Sequence, residues 1–171
     1  AAYGKKISDF ANWCASQGMP ISYHHHMAAA IETEDELDLL MKHSSVPLLF
    51  DAGHMAFAGG DVLRVIDKHH KRITHVHTKD IRRSVVDGLD RPKESFLDAV
   101  VKGAFTVPGD GSLDFEAIVF VRDNFRPKFL AAMRQFGNRW LEDRTTVTAV
   151  GWMLGERAVL EEFPGAIILR P

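Results

Sequence analysis

The fold turns on residues 46–61, VPLLFDAGHMAFAGGD. Its apolar run from Val46 to Phe50, ending in Asp51, has the pattern of a parallel strand buried on both faces, because such strands lie between layers of helices. AFAGGD then reads as a connecting loop, and Asp61 as the cap of a helix running to about His70. Gly59 and Gly60 lack the spaced glycines of a dinucleotide fingerprint and the Gly-Lys-Ser/Thr of a phosphate loop, so the pair reads as a turn.

The same strand-then-helix rhythm extends in both directions. Upstream, Ile7, Phe10, Ala11 and Cys14 fit one helical face that Gly18 stops, and Pro20 separates it from the extended run ISYHHHM, residues 21–27. A helix follows from about Glu32 to His43. Downstream, RITHVHTKD, residues 72–80, is strand-like and leads into a long polar connection. A short helix follows around Ser95–Val101, then the tight turn VPGDGS, then a helix starting near Ser112 or Asp114. This alternation predicts an α/β fold on a parallel sheet. Three such units do not close a (β/α)8 barrel, which takes about 250 residues. The sequence therefore predicts a partial barrel over residues 1–124, with 125–171 as a divergent, unassigned segment of helix, β-branched stretch and short terminal elements.

At 171 residues and 46% apolar composition the chain can bury a core. Its 23 acidic and 21 basic residues are interspersed, giving a net charge of −2, so the basic stripe of a nucleic-acid binder is missing and small-molecule chemistry is expected. No apolar run reaches membrane-spanning length, and the single cysteine, Cys14, reads as a buried helix residue, so the expected compartment is the cytoplasm.

All nine histidines lie between His24 and His77, several at the C-terminal ends of expected strands, where barrels and doubly wound sheets keep their chemistry. Strand alternation puts His24 and His26 on one face with His25 opposite, and aligns His75, His77 and Lys79 on a face opposite Val76. His54 lies just beyond Asp51 in the loop. If those faces converge, His24 or His26 joins Asp51 and His77 as a nitrogen and oxygen set suited to Mn²⁺, Co²⁺, Fe²⁺ or Zn²⁺. Lys79 would then reach substrate oxygens or carry a proton. His25 reads as a hydrogen-bonded packing residue, and His43, His69 and His70 as solvated groups at helix ends. Asp51 can alternatively cap the loop that follows it. Burying polar groups unpaired at three successive strand ends would cost several kcal/mol, which favours the metal.

YHHHM, DAGHMAFAGGD, ITHVHTKDIR and SFLDAVVKGAFTVPGDGSLDF together resemble the myo-inosose-2 dehydratases of bacterial inositol catabolism, within the xylose-isomerase-like sugar isomerase and epimerase superfamily, over roughly Ile7 to Val121. The resemblance implies a (β/α)8 TIM barrel whose N-terminal strands are missing here, a divalent Mn²⁺ or Co²⁺ cofactor and a cyclic polyol ketone substrate. It implies dehydration of 2-keto-myo-inositol (scyllo-inosose) to a trihydroxycyclohexane-dione, by way of an enediolate and β-elimination of water. The family's metal aspartate falls on Asp51 and its metal histidine on His77; His24 stands where many relatives have a glutamate. Lys79, His54 and His26 are the candidates for substrate orientation and proton transfer. The family's late glutamate, in a strand reading like VVEAEQ, has no counterpart after Val121: Glu156, Glu161 and Glu162 have different surroundings. A sugar or keto-acid isomerase or epimerase would use the same metal but return the proton. A rival of another class, an inactive truncated fragment, would expose unpaired sheet edges and fold as a homo-oligomer or an interaction piece.

Overall fold

The computed structural model describes residues 1–120, so the segment expected at 125–171, with Glu156, Glu161 and Glu162, lies outside the described residues. The chain divides into two compact units, Ala1–His77 and a second beginning at Thr78.

The first unit opens with helix α1 (Ala2–Ser16). Its buried stripe is Gly4, Ala11 and Cys14. Phe10, expected on that face, is 51% exposed and stacks on Trp13 at 6.1 Å instead. The reason is angular: Phe10 stands 100° around the helix from Ala11, whereas Gly4 is nearly two turns back on the same side. Gly4 is where α1 meets the end of helix α2 (Glu34–His43), since a Cβ there would overlap the His43 carbonyl. α2 starts at Thr33 through a capping box: the Thr33 hydroxyl accepts from the Glu36 N–H, and the Glu36 carboxylate accepts from the Thr33 N–H at 2.9 Å.

Three parallel strands, β1 (Tyr23–His24), β2 (Leu48–Asp51) and β3 (Ile73–His77), form a sheet in the order β1-β2-β3. Leu48 and Phe50 of β2 are wholly buried on one face; on the other Asp51 is wholly buried and only Leu49 is half-buried. Leu48 pairs with Ile73 and Leu49 with His75; the skipped Thr74 is a bulge. It lets Ile73 and Val76 both turn into the core while His75 and His77 share the opposite face. Each buried Leu, Ile or Phe contributes about 1.5–3 kcal/mol.

Between β2 and β3 lies a helix that sequence periodicity missed. α3 (Ala52–Phe57) follows β2 without a loop, and all six of its residues are buried. His54, expected in a loop, is the third residue of α3, in its first turn. Gly59 and Gly60 turn the chain into α4 (Val62–His69), capped by Asp61 as expected, with its side chain accepting from the Arg64 N–H at 3.0 Å.

In the second unit, β4 (Asp80–Ile81) pairs antiparallel with β5 (Phe105–Thr106). The expected strand over residues 72–80 is thus two strands broken at Thr78 and Lys79. α5 (Arg83–Asp87), α6 (Phe96–Val101) and α7 (Phe115–Phe120) complete the described part. α6 carries a Ser95–Asp98 capping box. No helix among the described residues is long and apolar enough to cross a membrane.

Candidate metal centre at the strand ends

Asp51 stands where β2 passes directly into α3. Its Oδ1 accepts the His54 N–H at 3.1 Å, capping α3, so the capping reading of this residue holds. Its Oδ2 faces three imidazoles: His77 Nδ1 at 3.3 Å from β3, His24 Nε2 at 3.4 Å from β1, and His54 Nε2 at 4.0 Å from α3. The carboxylate is fully buried, and the His24 and His77 side chains are 26% and 33% exposed. A buried carboxylate is tolerable only where cations or donors compensate its charge.

His24, Asp51 and His54 each offer a ligand atom within 4.8 Å of one another. His24 Nε2 is buried and makes no hydrogen bond. A buried ring nitrogen beside an anionic oxygen, with a second imidazole nitrogen alongside, is a donor set that fits a divalent transition metal. Of the expected ligands, His24 and Asp51 belong to this set; His77, from the strand on the other side of β2, lies 3.3 Å from the same Asp51 oxygen with its ring 4.7 Å from that of His24; His54, expected to move protons, lies within ligand reach.

His26 lies against the group, its ring 3.7 Å from that of His54 and 5.2 Å from that of His24. Its Nδ1 is 2.6 Å from the Met27 carbonyl, which only accepts, so Nδ1 carries a hydrogen. His25 points the other way, fully buried against Phe50, and its Nε2 accepts the Asp51 N–H at 3.1 Å. The packing role expected of it holds. On the exposed side of β3, burial lowers the pKa of His75, with the charges of His77 and His24 adding to the effect. Lys79 lies in the second unit, outside β3.

Sequence reasoning passed over a second buried carboxylate. Asp80 receives five backbone N–H groups: Oδ1 from Ile81 at 2.7 Å, Ser112 at 3.1 Å and Leu113 at 3.0 Å, and Oδ2 from Gly109 and Gly111 at 3.0 Å each. The turn VPGDGS is therefore a tight loop as expected, wrapped around an anion supplied by its own chain.

The chain is 48% identical over 120 residues to the "Rhizopine catabolism protein MocC" of Rhizobium meliloti, spanning 69% of this chain and 37% of that protein. It is 50% identical to inosose dehydratases of Clostridium perfringens and Geobacillus thermodenitrificans, over 63% and 66% of this chain and 37% and 38% of theirs. The chain thus spans well under half the length of these curated relatives. The crystal structure of a probable 3-DHS dehydratase from Bacillus anthracis superposes with a TM-score of 0.55 at 17% identity, covering 80% of this chain and 56% of that one, and shares the α/β fold. No protein-family model matches the chain.

Proposed function

We propose that this chain carries the metal site of an inosose-dehydratase-like hydro-lyase on part of a (β/α)8 barrel, and that the substrate is 2-keto-myo-inositol. The supporting observation is Asp51 at the end of the central strand with His24 and His77 of the flanking strands at 3.4 and 3.3 Å. Identity near 50% to curated inosose dehydratases supports the substrate class.

Asp51 and His24, with His54 or His77, would hold a divalent cation, Mn²⁺ or Co²⁺, which when bound would supply Lewis acidity to the substrate ketone. His26, beside His24 and His54, is the base assigned to the proton next to the ketone, with Nε2 as the accepting atom in the neutral ring. The C–O bond of the β-hydroxyl then breaks and the oxygen leaves as water once protonated, so no oxidant or reductant is consumed. Lys79 is assigned to substrate orientation or to that protonation by its place two residues after His77. Asp51 is itself fixed, one oxygen committed to α3, which leaves Oδ2 toward the imidazoles.

The test is Mn²⁺ titration of the metal-stripped chain, followed by scyllo-inosose consumption in D₂O. Near-stoichiometric binding, lost in Asp51→Ala, with loss of water from the substrate supports the reading. Deuterium uptake without water loss would replace it with an isomerase or epimerase. A folded chain that binds no Mn²⁺ would overturn it and leave an inactive fragment.

A further inference from the structure

We infer that His25 is a positioning residue: by accepting the backbone N–H of Asp51 it sets the direction of the carboxylate toward the imidazoles. This rests on the metal site proposed above for its consequence, but its geometry stands alone.

β1 ends at His24, and its last registered pair with β2 is His24 with Leu49. Two residues further along β2, the Asp51 N–H meets a ring nitrogen, His25 Nε2, at 3.1 Å. A side chain thus serves where a strand would present a carbonyl. A backbone N–H only donates, so Nε2 is the accepting nitrogen and the ring is the neutral Nδ1–H tautomer. The ring is fully buried and tilted on Phe50 at 5.5 Å, which fixes its plane. His24 and His25 therefore divide the work between opposite faces of the sheet: one addresses Oδ2 of Asp51, the other its main chain. Packing alone would accept any ring or branched apolar group of similar volume at position 25. Positioning requires an acceptor there, because otherwise a buried N–H is orphaned and the backbone of Asp51 turns to find another partner.

The experiment compares the full chain with His25→Leu and His25→Gln, the amide oxygen of glutamine standing near the position of Nε2. Three quantities are read: a nitrogen–nitrogen coupling across the hydrogen bond between His25 Nε2 and the Asp51 amide, the Mn²⁺ dissociation constant well below each melting temperature, and the imidazole resonances of His24, His54 and His77. The expected result is a measurable coupling in the parent, Mn²⁺ binding weakened about 10- to 100-fold in the leucine variant, and recovery to within about threefold in the glutamine variant. A leucine variant that is less stable yet binds Mn²⁺ like the parent would overturn the proposal, as would absence of the coupling. If the parent binds no Mn²⁺, the metal reading fails separately. The positioning role then stands if leucine, but not glutamine, shifts the three imidazoles, and falls if neither or both do.

Discussion

Asp51 and Asp80 are both carboxylates with no exposure to solvent, and they do opposite things. Around Asp80, five backbone N–H groups occupy both oxygens, and the negative charge is spent on holding residues 109–113 in a turn. Around Asp51, one N–H goes to Oδ1 while Oδ2 is ringed by imidazole nitrogens at 3.3 to 4.0 Å. Burial alone therefore does not mark a functional carboxylate. What separates the two is whether the donors are fixed amides, which leave no room for a cation, or titratable rings, which can turn a lone pair toward one.

The same substitution at both positions tests this contrast. Asp80→Asn places an NH₂ group against amide donors and removes the charge they share; charge-assisted bonds contribute about 1.5–3 kcal/mol each, so a loss of ~3 kcal/mol or more in urea unfolding is expected. Asp51→Asn should behave differently. Asparagine caps a helix as well as aspartate, so stability should stay within ~1 kcal/mol while Mn²⁺ affinity falls more than ~100-fold, beyond what loss of an outer-shell partner costs. Equal destabilisation at both sites, measured by urea unfolding and calorimetric titration, would erase the distinction.

Gly111→Ala sharpens it further. A Cβ there would overlap the Asp80 carboxylate and the Ile81 carbonyl, so about 1–3 kcal/mol of stability should be lost with Mn²⁺ binding unaltered. The smallest effect belongs to Asp38, a partly exposed carboxylate. Burial raises its pKa, but hydrogen bonds from Lys68 and His69 outweigh that, and the net shift is downward from 3.8. A lowered folded value means stability that is present above about pH 3.8 and is lost as pH falls through the lower folded pKa. Asp38→Asn should flatten acid unfolding below pH 3.8 and cost under ~1 kcal/mol at pH 7, as partly exposed ion pairs do.

Much of this was legible in the sequence where the cause is local. Asp61 and Ser95 announce their helices because a cap acts three residues away, and the alternation of His24, His25 and His26 sorted a site residue from a packing residue. The errors have long-range causes. α3 was hidden because all six of its residues are buried, which leaves no alternation of apolar and polar positions, because Gly53 is a poor helix former, and because the strand hands over to the helix at Asp51 without a turn. The bulge at Thr74 cannot be read from one strand, since it exists only relative to β2. Asp80 was passed over because four of its five donors arrive 29 to 33 residues later as backbone amides, which every sequence has.

Asp51 also determines how stiff the site is. One oxygen is held by the first turn of α3 and the backbone beneath is held by His25, so the carboxylate cannot swivel without unfastening a helix. The rotational entropy that a surface aspartate would surrender on meeting an ion has here been surrendered already, when the chain folded. Were this site to hold an ion, a donor so rigid would discriminate by size: an ion too large or too small would have to strain α3, and the free energy of that strain would be the selectivity.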